Sequence, residues 1–144
     1  LGQSIGKKDK NTSLVIILKT FIFSLLLAFI LSILIFLIGF NIFEIFTSLD
    51  VILNECRKLF LYLLLLPIVS VWAFMLDGFF IGAAKSKPMR NSTLLAFCVF
   101  IILNYLVMLI NPNIQYLWLS YLIFLLSRGV FLSFYFKSLF VYDN

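Results

Sequence analysis

The run from Leu66 to Ala84 is long and apolar enough to cross a lipid bilayer, yet it holds a carboxylate, Asp77, and breaks into Lys85, Lys87 and Arg90. Few folds accept such a segment. Hydrocarbon offers backbone N–H and C=O groups no water, so a spanning segment is a helix or a strand of a closed barrel. The alternation that marks barrel strands is not seen in this sequence. An Asp at the centre of a membrane helix costs about 2.5–3.5 kcal/mol on insertion scales, and some interaction has to offset that cost. Asp77 is therefore a candidate site for a proton, a cation or a basic partner.

Composition points the same way. The chain is 64% hydrophobic and only 12% charged, against about 25% charged in soluble domains. Eighteen Phe in 144 residues suit a lipid-facing surface better than an aqueous core. The sequence opens on Leu1 with no signal-peptide pattern before the first apolar run, and reads as a piece of a larger protein cut in a loop.

A helix needs about 20 apolar residues to cross about 30 Å of hydrocarbon. Four stretches qualify: 14–40, 59–84, 92–110 and 116–136. Lys19 lies near the end of the first, and Arg128 interrupts the last. Asn111-Pro112-Asn113 reads as a turn between the last two. With four spans, both tails and the Lys85–Arg90 loop share one side. That side carries Lys7, Lys8, Lys10, Lys85, Lys87, Arg90 and Lys137; the other carries Arg57 and Lys58 beside Glu44, Asp50 and Glu55. The excess of cations predicts that the first side is cytoplasmic, with Lys87 and Asn144 facing inward and Asn54 outward. Residues 41–58 read as an outer interfacial amphipathic segment of short turns, with Ser48 or Asp50 capping the helix that follows.

The chain has no His, so it offers no imidazole proton relay and no His-based metal site. Cys56 and Cys98 fall at different depths, which disfavours a disulfide or a metal pair. No Gly-Lys-Ser/Thr phosphate loop is present. No metal and no cofactor is expected. The basic residues lie in a different layer from the aromatic ones, so they read as a topology signal and not as a nucleic-acid surface.

The remaining candidates lie inside the spans. Asp77 sits eight residues from Lys85, about 12 Å along the helix, and Arg128 sits nine from Lys137, about 13–14 Å. Matching depth makes Arg128 a candidate partner for Asp77, either as a structural charge pair or as part of a cation or proton site. Gly78 with Gly82, and Gly129 with Ser133, form small-xxx-small faces of the kind that let helices approach closely. Pro67 removes a backbone hydrogen bond from the second span and is expected to bend it, as a static kink or as a cavity-lining hinge. Asn104 and Tyr105 bring polar groups into the third span, and Asn104 suits an interhelical hydrogen bond. Trp72 fits a pocket wall or an interfacial anchor; Trp118 reads as an outer-belt anchor.

Three stretches resemble the multidrug and toxic compound extrusion (MATE) transporters, in their DinF-like branch. The opening Leu1-Gly2-Gln3-Ser4-Ile5-Gly6-Lys7-Lys8-Asp9 resembles a Gly-Gln-x-x-Gly loop entering the third helix of a lobe. Leu66-Pro67 through Leu76-Asp77-Gly78-Phe79-Phe80-Ile81-Gly82-Ala83, continuing to Met89-Arg90-Asn91, is closely similar to the tenth helix and its loop. Trp118-Leu119 and Leu126-Ser127-Arg128-Gly129 resemble the final helix. The resemblance implies an all-α integral membrane protein, its four transmembrane helices being helices nine to twelve and forming part of a six-helix lobe.

The resemblance further implies a transporter and no enzyme. The function it implies is that of a secondary antiporter in the inner membrane of a prokaryote, exporting cationic or amphipathic small molecules in exchange for H⁺ or Na⁺. Its partners would be membrane lipid, the remaining helices of the transporter and the substrate, with no nucleic acid. Related members place an acidic residue of the tenth helix in a cation site, where Asp77 falls. A lipid-linked oligosaccharide flippase of the same superfamily and a stand-alone four-helix membrane scaffold are the rival readings. More basic cavity residues and no Leu-Asp-Gly-x-x-Ile-Gly stretch would have favoured the flippase.

Overall fold

The computed structural model describes residues 1–110 and 112–140. Asn111 and Asn144, named above for the turn and the C-terminal topology, lie outside the described residues. Among the described residues the chain is all helical: α1 (Gly2–Gly6), α2 (Lys10–Phe46), α3 (Asp50–Gly82), α4 (Ser86–Ile110), α5 (Ile114–Phe134) and a closing 3₁₀ turn (Phe136–Phe140). Helices α2 to α5 are each long and apolar enough to cross a membrane, as span length predicts. Their large side chains face outward along most of their length, as Phe23, Leu37 and Phe36 do. An apolar chain hides such side chains in lipid, so the outward faces need no aqueous core.

The helices do not pack in chain order. Helices α3 and α5 form the central pair, α2 lies along α3, and α4 lies along α5. The α3–α5 contact brings Asp77 and Arg128, from the second and fourth spans, to one interface.

The outer connection differs from the expected run of short interfacial turns. Residues 41–46 continue α2 and residues 50–58 open α3, leaving only Thr47, Ser48 and Leu49 between the helices. Neither Ser48 nor Asp50 caps α3: Leu49 holds the cap position without a side-chain bond, and the Thr47 hydroxyl accepts from the Leu49 amide at 3.2 Å. The apolar residues there extend the helical pattern, and continued backbone bonding satisfies more peptide groups than separate turns would.

At the basic end two reversals share one geometry. After α1, Lys8 is left-handed (φ 58°), with Lys8 N–H donating to Ile5 O and Asp9 N–H to Ser4 O. After α3, Ala84 is left-handed (φ 55°), with Ala84 N–H donating to Ile81 O and Lys85 N–H to Phe80 O. These are Schellman closures built without the usual glycine. The cost of a non-glycine residue in that region is about 1–2 kcal/mol.

The second closure aims Lys85 at the 3₁₀ turn, where its Nζ donates to Ser138 O at 2.5 Å. The turn's Leu139 is fully buried and packs with Leu76, Phe79, Phe80 and Leu132. The basic end is thus closed by an apolar cluster that α3, α5 and the C-terminal turn share.

Asp9 caps α2 at this end, accepting from the Thr12 hydroxyl at 2.6 Å and the Thr12 N–H at 3.0 Å. Those bonds, the hydroxyl first, hold its carboxyl below the ordinary value of 3.8. A carboxyl lowered in the folded state contributes stability above its unfolded pKa and loses it as pH falls through the folded one. Protection of the Thr12 amide from hydrogen exchange is therefore expected to fall below about pH 3.8. The Gln115 amide, bonded to the neutral Asn113 cap of α5, should show no such step.

Candidate transport site

The site is built on the α3–α5 contact. Asp77 lies in the last third of α3, is 8% exposed, and follows Leu76, which belongs to the apolar cluster. From α5, Arg128 reaches it: Nη2 donates to Asp77 Oδ2 at 2.5 Å. The guanidinium also lies 6.0 Å from the centre of the Phe74 ring, one helical turn back along α3. The pair is joined by one oxygen only. Asp77 Oδ1 and Arg128 Nε are buried without a hydrogen-bond partner among the described residues. A buried acceptor and a buried donor left open beside an ion pair are each costly, about 1–3 kcal/mol, and they leave the pair able to take one more hydrogen-bonding or ionic partner.

Next to Asp77 the helix surface opens. Apart from its chain neighbours and the adjoining backbone of α3, nothing lies within 4 Å of a Cβ built on Gly78, and Gly78 lines a groove of about 750 Å³ between α2 and α3. Pro67, Ser70, Phe74 and Met75 line it from α3, and Thr20, Ser24 and Ala28 from α2. The wall is apolar with a few hydroxyls, which suits an amphipathic occupant. Opposite the Pro67 turn, the Ser32 hydroxyl of α2 donates to Leu64 O at 2.9 Å, tying α2 to α3 across the groove.

The small residues divide their work. Gly82 does not meet another membrane helix; it faces α1, its built Cβ lying 3.8 Å from Gly2 N. Gly129 forms a notch for Trp72 of α3, whose ring lies directly over it. Trp72 Nε1 donates to Ser133 Oγ at 3.0 Å, and the ring meets Phe21 of α2 edge-on at 5.6 Å. Trp72 therefore joins α2, α3 and α5, and also lines a second groove of about 500 Å³ with Phe21 and Ser133.

The remaining polar residues of the third span stay off this contact. Asn104 Nδ2 donates to Phe100 O, one turn back in its own helix, at 2.8 Å; among the described residues the interhelical bond expected of it is not formed, because the short amide satisfies itself on the i−4 carbonyl. Tyr105 is 63% exposed. Trp118 lies against Tyr121 and lines two clefts, of about 490 and 190 Å³, at the opposite end. Cys56 and Cys98 are both free.

Sequence reasoning placed Asp77 and Arg128 at one depth and marked the Gly129–Ser133 face. It missed that a tryptophan fills that face and that Ser32 bridges to Leu64. The spacing of Gly129 and Ser133 signalled a small-residue surface, but nothing in spacing identifies the residue opposite.

The MatE family model matches residues 1–106. The protein named DNA damage-inducible protein F of Escherichia coli (strain K12) is 33% identical over 134 residues, which is 92% of this chain and 28% of that relative. The chain thus spans less than a third of the length of the curated relative it matches. No solved structure matches it.

Proposed function

The chain belongs to the MatE family of membrane transporters, and from that premise we propose that it contributes four helices to a secondary antiporter that exports cationic or amphipathic compounds in exchange for H⁺ or Na⁺. The observation that carries this reading is the half-satisfied Asp77–Arg128 pair in the membrane, set beside the α2–α3 groove. A proton or Na⁺ arriving at Asp77 Oδ1 competes with Arg128 for the carboxylate. Weakening that pair loosens α3 against α5, and the groove lies on the other face of α3. An ion coupled in this way has to bind the two helix arrangements with different affinity, or it drives nothing. In this reading the basic end is cytoplasmic, the chain sits in the inner membrane, and the rest of the transporter supplies the remaining walls of the substrate path.

Asp77→Asn in the intact transporter tests it. The amide removes the titrating charge but keeps an oxygen for Arg128, so expression is expected to stay near normal. Efflux, followed in imposed H⁺ and Na⁺ gradients, is expected to weaken or to lose its dependence on the driving ion. Efflux unchanged at every pH and Na⁺ level would assign Asp77 to structure alone.

A further inference from the structure

We propose that the basic end of the bundle binds the phosphate headgroups of anionic phospholipids. Six cations, Lys7, Lys8, Lys10, Lys87, Arg90 and Lys137, are exposed there. Three separate segments supply them, and the fold gathers those segments into one rim. Gly2 packs on the Gly82 backbone, Lys85 Nζ is bonded to Ser138 O, and Lys10 Nζ lies 5.6 Å from the centre of the Phe140 ring. The acidic residue of this rim among the described residues is Asp9, and its carboxylate is engaged with Thr12.

The opposite end shows what balanced charge looks like in the same molecule. Lys58 is paired with Glu55 at 2.6 Å, and Arg57 lies over the Phe40 ring at 4.8 Å, with Glu44 and Asp50 nearby in sequence. Helix stability does not account for the rim either. Lys87 lies in the first turn of α4, where the helix dipole disfavours a cation, and that turn has no acidic residue.

A compact rim of cations at the membrane surface, directly adjoining apolar spans, fits a leaflet rich in phosphate headgroups. Such clusters attract anionic lipid by about fivefold in affinity for each Lys or Arg near the surface. The inference does not rest on the antiport reading, since it concerns the lipid around the protein and not the transported compound.

The test uses the intact transporter in detergent, with phosphatidylglycerol or phosphatidylcholine added and bound lipid counted by native mass spectrometry. Phosphatidylglycerol is expected to be retained in preference. The preference should fall by about 25-fold, fivefold for each cation removed, in Lys87→Gln/Arg90→Gln and, independently, in Lys7→Gln/Lys137→Gln. Two variants on different segments guard against local unfolding of one. Arg57→Gln/Lys58→Gln should keep the wild-type preference. Rim variants that bind phosphatidylglycerol like wild type, or an equal loss at the opposite end, would overturn the proposal. Displacement of the lipid by inorganic phosphate at matched concentration would show a free-anion site instead and overturn it too.

Discussion

Replacing Asp77 or Arg128 alone with Leu is expected to destabilise the bundle by about 3–5 kcal/mol, whereas replacing both should cost far less. The pair lies in the α3–α5 contact with side chains only 11% and 18% exposed. Removing one member leaves the other charged, buried and surrounded by lipid-facing helices. Removing both lets two apolar side chains fill the gap, and such replacements of buried pairs are often neutral or stabilising. The open Asp77 Oδ1 and Arg128 Nε sharpen the contrast, because the double variant also removes two unsatisfied polar atoms. Reversible unfolding of the wild type and the three variants in detergent or bicelles gives the coupling energy directly. A double variant as damaged as the sum of the singles would mean that the two groups act independently.

Gly129→Ala is expected to cost about 1–3 kcal/mol, the usual penalty of an over-packed contact, and Gly129→Val more. A Cβ at this position would collide with the five-membered ring of Trp72. The ring is half-exposed, yet it is held on two sides, bonded to Ser133 and edge-on to Phe21. Moving it breaks a hydrogen bond and separates α3 from α5. In a Trp118→Phe background, Trp72 emission should shift to the red in Gly129→Ala. Trp72→Leu should relieve most of the added cost, because a flexible side chain can turn away from the new methyl. An Ala variant with wild-type stability and emission would show that the notch is loose.

These two contacts mark what sequence can and cannot provide. Span length and hydropathy made the four long helices readable, because a bilayer imposes a fixed thickness on any apolar run. The depths of Asp77 and Arg128 were readable by counting from Lys85 and Lys137, since the cations fix where each helix leaves the membrane. That α3 lies against α5 was not readable: lipid accepts apolar side chains as well as a neighbouring helix does, so hydropathy leaves helix adjacency open. The same limit hid Trp72 opposite Gly129. The outer segment was misjudged for a different reason. Residues 41–58 mix charged and apolar positions in a way that fits either surface turns or helix ends emerging from the membrane, and the backbone resolves that choice by continuing its own hydrogen bonds.

Pro67 gains a mechanical meaning from its position. It divides α3 into an arm of 15 residues to Gly82 and one of 17 back to Asp50, the outer arm being about 25 Å long. A change of about 10° at this pivot would sweep the Asp50 tip through roughly 4 Å. The Ser32 hydroxyl grips Leu64 O on the outer arm, and only three residues join that arm to α2. The two outer arms would therefore travel together as one lever, turning a small rearrangement near Asp77 into a wider displacement at the far side of the membrane.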